Sequence, residues 1–166
     1  MGAQAKRIAD VDIRWLTRRD MPEVLEIENR SFPNPWTEEE FICCLKNRDC
    51  IGVVAEGKHC GPIYGFMIYQ IHKEKLTLLN FAVATEVRRT GVGLAMTERL
   101  IGKLSQRRRQ LTTEISEENV PAQLFFSGCG FKATRCREGQ IEFQYVLAGT
   151  VPEWHGVNRI TQYDMP

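Results

Sequence analysis

The chain holds no Cys-x-x-Cys pair. Its six cysteines, Cys43, Cys44, Cys50, Cys60, Cys129 and Cys136, are scattered, and none has a histidine at zinc-site spacing. That excludes a thioredoxin-type redox motif and a zinc ribbon, and no metal is expected. No apolar run approaches the ~18–20 residues of a membrane-crossing helix, so no membrane partner is expected. No secretory leader is recognisable, which with unpaired thiols predicts a cytoplasmic protein. Met1-Gly2 starts like a myristoylation signal, but the sixth residue is Lys6 instead of Ser or Thr. Net charge hardly departs from zero, +1 over 166 residues, so direct nucleic-acid binding is not expected either. Repeats and low-complexity tracts are absent.

The 166 residues present are enough for one domain burying about 70% of its unfolded surface. We expect a flexible segment over 1–10, a domain over 11–148 and an extension of unknown role over 149–166. A strand is expected over 12–18, with Ile13 and Trp15 on one face. Asp20, Pro22 and Glu23 read as the capped start of a helix carrying Val24, Leu25, Ile27 and Glu28. Pro33 and Pro35 break it, and Thr37 with Glu40 forms a capping box for a second helix running through Leu45. Strands follow over 50–56, 63–72 and 76–84, joined by turns at Gly57-Lys58 and Lys73-Glu74-Lys75. A helix over 92–105, a strand over 111–116, a helix over 119–127 capped by Asn119, and strands over 132–137 and 141–147 complete the pattern. The order β-α-α-β-β-β-α-β-α-β-β predicts a mixed α/β (α+β) fold with an antiparallel first half.

The segment with the most chemistry is Arg88-Arg89-Thr90-Gly91-Val92-Gly93, between an apolar strand and an amphipathic helix. A helix start offers unpaired N–H groups and the positive end of its dipole, and glycines let that backbone approach a ligand. It predicts a phosphate-bearing ligand. A dinucleotide fingerprint needs a third glycine where Met96 stands, and a P-loop needs Gly-Lys-Ser/Thr where Gly93-Leu94-Ala95 stands. In the strand Leu111-Thr112-Thr113-Glu114-Ile115-Ser116, alternation puts Thr112, Glu114 and Ser116 on one face. A polar face on an interior strand suits a cleft lining, while a solvated or ion-paired glutamate fits the same pattern. Glu38-Glu39-Glu40 reads as a charged first helical turn or as a lure for a cationic peptide. Arg107-Arg108-Arg109 reads as a solvated helix end, or as a contact for RNA or for a ligand phosphate.

Arg-x-x-Gly-x-Gly at Arg88–Gly93 resembles the pyrophosphate-binding segment of the GCN5-related N-acetyltransferases (GNATs). Further motifs carry the resemblance: Ile27-Glu28 with Phe32-Pro33-x-Pro35-Trp36, Leu79-Asn80-Phe81-Ala82-Val83, Glu114 with Asn119, and Phe125-Phe126-x-x-x-Gly130-Phe131. The similarity spans about 13–131 and implies the family's fold, a mixed sheet with one bulged, splayed strand flanked by helices. It implies acetyl-CoA as co-substrate. Phe81, Ala82 and Val83 would hold the acetyl and pantetheine part. Arg88, Arg89, Thr90, Gly91, Val92, Gly93 and Leu94 would cradle the pyrophosphate, with Asn119 also on CoA. Glu114 matches the general base, and Phe32 and Trp36 would face the acceptor.

The branch most resembled acetylates a protein N-terminal amine, the alanine of ribosomal protein S18. That makes a protein N-terminal peptide, S18 among the candidates, the expected partner. Two departures stand out. Phe126 occupies the position of the general-acid tyrosine and has no proton to give, leaving Tyr145 or water as candidates. Arg135-Cys136-Arg137-Glu138-Gly139-Gln140 lacks the family's tyrosines and its longer loop. They keep open an acetyltransferase for small amines or lysine side chains, and a non-catalytic CoA-binding module.

Overall fold

The structure, a computed structural model, describes residues 11–148. The expectations for 1–10 and 149–166 lie outside the described residues. Seven strands form one sheet in the order β1-β2-β3-β4-β5-β7-β6. They are β1 (Val11–Trp15), β2 (Cys50–Gly57), β3 (Ile63–Ile71), β4 (Lys75–Val83), β5 (Gln110–Ser116), β6 (Lys132–Arg137) and β7 (Gln140–Val146). The helices are α1 (Met21–Ser31), α2 (Glu38–Lys46), α3 (Val92–Ile101) and α4 (Val120–Gly128). Every neighbouring pair is antiparallel except β4 with β5, which is parallel. The element order is the one the sequence predicts.

The central strands are apolar on both faces because both faces are covered. On one side Val54, Phe66 and Ile68 pack against Val24 and Ile27 of α1 and Phe41 of α2. On the other, Val53, Met67, Leu76, Leu78 and Leu111 pack under Met96 and Leu100 of α3 and Phe126 of α4. The apolar stripes of the four helices set these contacts.

β4 contains one residue too many. Ile68 of β3 pairs with Asn80 and Tyr69 with Leu78, so Leu79 is extruded as a bulge. Strand side chains alternate, so the extra residue inverts the phase beyond it. Leu76 and Leu78 face the α3 side, and so do Phe81 and Val83. Ala82 joins the α1 side, and Asn80 bonds Glu28 of α1. Pairing with β5 stops at Leu78 with Thr113. From there β4 and β5 diverge, which leaves that edge of residues 79–83 without a ladder partner.

Three local expectations are corrected. Asp20 does not cap α1 with its side chain. Its carboxylate accepts from Arg14 Nη1 and Nη2 at 2.8 and 2.9 Å, and from the Thr17 N–H and hydroxyl at 2.7 and 2.9 Å. It sits in a 3₁₀ turn, Arg18–Asp20, that precedes the helix. β1 ends at Trp15, three residues short of the expected boundary, with Ile13 half-buried and Trp15 63% exposed. α3 ends at Ile101, just before Gly102, and the chain turns to tuck Leu104 into the core. The Thr37–Glu40 capping box is present, with Thr37 N–H on Glu40 Oε2 at 2.7 Å.

Candidate active site

The divergence of β4 from β5 opens a slot that two clefts share. The first, about 450 Å³, is walled by Phe81, Ala82 and Val83 of β4, by Arg88, Arg89, Gly91, Gly93 and Leu94 of the glycine turn, and by Asn119, Pro121, Ala122, Phe125 and Phe126. Nine of the eleven residues expected to hold the co-substrate line it, all but Thr90 and Val92. The β4 segment reaches this cleft because the bulge turns Phe81 and Val83 toward α3. The glycine turn reaches it because Arg89 (φ 63°) and Gly91 (φ 97°) both adopt left-handed backbone, swinging the chain into α3. Gly93 has no room for a side chain: a Cβ there lies 3.2 Å from Phe125 Cζ and 3.5 Å from Val83 Cγ2.

Not all of the predicted cradle faces the cleft with its side chain. Thr90 donates its hydroxyl to the Val87 carbonyl at 2.6 Å, and Val92 is buried in the core. Neither side chain lines the cleft. Arg88 lines it while bracing its wall, donating from Nε to the Val83 carbonyl at 2.9 Å and from Nη2 to Ser31 Oγ at 3.1 Å. Asn119 caps α4, its Oδ1 accepting the Ala122 N–H at 3.2 Å. The two arginines meet no acidic side chain in this lining. A glycine surface, a helix start and two lining arginines fit a pyrophosphate-bearing thioester such as acetyl-CoA.

The second cleft, about 650 Å³, shares Ser31, Phe32, Phe81, Asn119, Ala122 and Phe126 with the first. Its own walls include Trp36 from the α1–α2 connection, Asn80, and Glu114 of β5. Phe32 thus stands at the junction, and Trp36 on the second side, edge-on to Phe41 at 5.4 Å. Glu114 is exposed, as the polar face of β5 predicts. Three glutamates, Glu28, Glu114 and Glu118, line this cleft, and no Lys, Arg or His does. The two joined clefts therefore have opposite charge.

Phe126 lies where they meet, 4% exposed and edge-on to Phe81, Phe125 and Phe131. Its role is aromatic packing. Tyr145, the candidate replacement acid, lines neither cleft and stacks at a tilt on Phe131, 5.6 Å away. Glu38, Glu39 and Glu40 also line neither cleft. The Arg107–Arg109 run belongs to the N-terminal end of β5, away from both. Arg108 Nε donates to the His72 carbonyl at 2.8 Å and Arg109 Nη2 to that of Leu147 at 3.0 Å. All six cysteines are free thiols. Among the described residues no cluster of His, Cys, Asp or Glu could hold a metal ion, and no helix is long and apolar enough to cross a membrane.

Glu28 is the site residue that sequence reasoning undervalued. It reads as a helix-face position, yet it is 1% exposed. Its Oε1 accepts the Trp36 N–H at 2.8 Å and its Oε2 the Asn80 amide at 3.1 Å. Burial pushes its carboxyl above the ordinary range, against the pull of those two hydrogen bonds. The signal was the glutamate itself, placed beside Ile27 on the apolar side of α1.

The sequence model of the acetyltransferase (GNAT) family matches residues 21–131. The chain is 29% identical over 126 residues to the ribosomal protein bS18-alanine N-acetyltransferase of Escherichia coli K12, spanning 75% of this chain and 83% of that one. It is 28% identical over 127 residues to the same enzyme of Salmonella typhimurium, with the same coverage. Many solved structures share the fold, two of them as follows. The Escherichia coli S18-alanine N-acetyltransferase superposes with a TM-score of 0.73 at 23% identity, covering 89% of this chain and 100% of that one. Arabidopsis thaliana NAA60 in complex with acetyl-CoA gives 0.70 at 16% identity, covering 84% and 100%.

Proposed function

The chain belongs to the acetyltransferase (GNAT) family, an N-acetyltransferase that uses acetyl-CoA, and from that premise we propose that it acetylates the N-terminal amine of a protein. The acceptor class is that of its S18-modifying relatives, an N-terminal alanine such as that of ribosomal protein S18. The setting is cytoplasmic, like that of ribosomal protein modification. The observation that carries this reading is the pair of joined clefts, one lined by arginines and one by glutamates. An anionic co-substrate and a cationic acceptor fit such a pair, and their reacting ends would meet at Phe81 and Phe126.

Acetyl-CoA supplies an activated acyl group. The chain supplies binding, orientation and a base. Arg88, Arg89 and the N–H groups from Thr90 to Leu94 would hold the pyrophosphate, and the open edge of Phe81, Ala82 and Val83 the pantetheine arm and the acetyl carbonyl. An α-ammonium group has a pKa of about 7.7–8.0, so most of it is protonated at neutral pH and cannot attack. Glu114 would take that proton, directly or through water, and the exposed carboxylate can return it to solvent. Phe126 donates nothing to the leaving thiolate, whose conjugate acid has a pKa of about 8.5 and which leaves without an acid.

The tight turn between β6 and β7, with Glu138 and Gly139 both at positive φ, supports a second reading. It leaves the acceptor cleft open beside Gln140, which also suits a lysine side chain. A transfer assay over peptides differing in their first residue, with a lysine peptide and a small diamine alongside, separates the two by mass. Transfer to Ala N-termini is expected; transfer to lysine side chains alone refutes the proposal.

A further inference from the structure

Glu28 sets a carboxyl group in the floor of the acceptor cleft and pairs it with no cation among the described residues. Both groups bonded to its carboxylate, the Trp36 N–H and the Asn80 amide, are neutral donors. No ion pair among the described residues includes it. Carboxylates this deeply buried are ordinarily paired, because removing the charge from water costs several kcal/mol and a counter-ion recovers part of it. An ionised carboxylate has about four acceptor sites, and two are used here. Trp36 and Asn80 line the cleft beside it, so the open sites adjoin the space an acceptor enters.

A purely structural explanation treats Glu28 as a tie between the α1–α2 connection and the bulged strand. It does make that tie, since the bulge is what turns Asn80 toward α1. Yet a tie to two neutral donors does not require a charge, and an uncharged side chain serves it at lower desolvation cost. The charge has a use only if a cation arrives. The other titratable groups lining the cleft are Glu114 and Glu118, and neither supplies one.

We propose that Glu28 is the anchor of the acceptor ammonium, a specificity-determining residue that fixes the cationic amine beside Phe81 while Glu114 removes its proton. The division of labour rests on the amine-transfer reading above. One ammonium N–H bonds to Glu28, a second proton passes to Glu114, and the nitrogen lone pair so freed attacks the acyl carbon. The carbon–sulfur bond then breaks, CoA leaves as its thiolate, and the further proton the nitrogen sheds to become an amide goes to water or to that thiolate. The bound ammonium is the counter-ion that keeps Glu28 ionised against the effect of its burial, so Glu28 takes no proton from the amine.

The test compares wild type with Glu28→Gln and Asn80→Ala. Gln preserves the shape, and its oxygen can accept from Trp36 while the Asn80 amide turns over to accept from its NH2. Losing a hydrogen bond to a charged group costs about 1.5–3 kcal/mol, so the KM for the amine is expected to rise roughly tenfold to a hundredfold with the KM for acetyl-CoA unchanged. Calorimetry on the CoA-loaded protein reads the charge directly. Wild type is expected to bind a peptide with a free amine about tenfold or more tighter than its desamino analogue. Glu28→Gln is expected to lose that preference, and Asn80→Ala, which breaks the tie but keeps the charge, to retain it.

Equal loss in both variants, or an unchanged preference in Glu28→Gln, overturns the proposal. If Glu28→Gln fails to fold, the preference in Asn80→Ala decides: its loss overturns the anchor and its retention supports it. If wild type acetylates a lysine or a diamine instead of peptide N-termini, the N-terminal reading fails and the same ratio is measured on that amine, since the anchor recognises any alkylammonium.

Discussion

Gly91 and Gly93 stand two residues apart and serve different ends, and alanine at each position separates them. At Gly91 an added Cβ meets nothing within 4 Å, but φ is 97°. The cost there lies in the backbone, about 1–2 kcal/mol for holding an L-residue in the left-handed region. In a chain of this size that lowers Tm by about 2–8 °C. At Gly93 the backbone is helical and the new methyl presses on Phe125, 3.2 and 3.3 Å from Cζ and Cε2. Phe125 cannot retreat freely, since it stacks on Phe81 at 5.9 Å and meets Phe126 edge-on at 5.1 Å. Crowding of this kind costs about 1–3 kcal/mol, and alanine's better helix propensity returns up to about 1. The net effect on Tm is therefore smaller than the displacement at the site. Gly93 and Phe125 both line the first cleft, so CoA affinity is expected to fall about fivefold to a hundredfold. Circular dichroism melts and calorimetric titration with CoA measure the two quantities. Wild-type CoA affinity in Gly93→Ala, or an unchanged Tm in Gly91→Ala, would show that these glycines were assigned the wrong reasons.

Replacing Glu114 by Gln is expected to lower kcat by about 10²- to 10⁴-fold; a rate within about threefold of wild type removes it from the role of base. Arg89→Ala is expected to weaken CoA binding about fivefold at low salt, with the gap narrowing as salt rises, because the charge is exposed and screened. A gap independent of salt would contradict that. Asp20 titrates at about 2 when folded, held down chiefly by its hydrogen bonds from Arg14, against an ordinary value of 3.8. Its folded pKa is lowered, so its stabilisation is complete above about pH 4 and lost as pH falls toward 2. Asp20→Asn is thus expected to cost about 2 kcal/mol at pH 7, with the difference from wild type shrinking below pH 4 in denaturant titrations. A difference that stays constant across that window would count against the ion pair as its source.

What the sequence made legible was local. Thr37 with Glu40, Asn119 ahead of Pro121, and the paired glycines each declare themselves within a few residues, and each stands where expected. What it concealed depends on partners far along the chain. Asp20 resembles a helix cap because its immediate neighbours do, but Arg14 approaches from β1 and is itself aligned by Glu56 of β2 at 2.9 and 3.0 Å. Glu28 resembles a helix-face residue because Asn80 is 52 positions away. Tyr145 was a candidate acid by strand membership alone, and the pairing of β7 with β5 directs it to Phe131 instead. The alternation of β4 reads evenly in one dimension, and only the register against β3 exposes the extra residue.

That extra residue makes the site a question of parity. Absorbing Leu79 into a regular ladder would exchange the faces of Phe81 and Val83 with those of Asn80 and Ala82. The aromatic wall would then turn toward α1, and the amide that holds Glu28 toward the CoA side. In-frame loss of the Leu79 codon does the opposite: Leu78 and Asn80 already oppose the consecutive residues Tyr69 and Ile68, so every side chain beyond keeps its present face. Such a deletion would keep the wall of the site and remove only the bulge, which separates the two jobs of the extra residue, side-chain phase and the parting of β4 from β5.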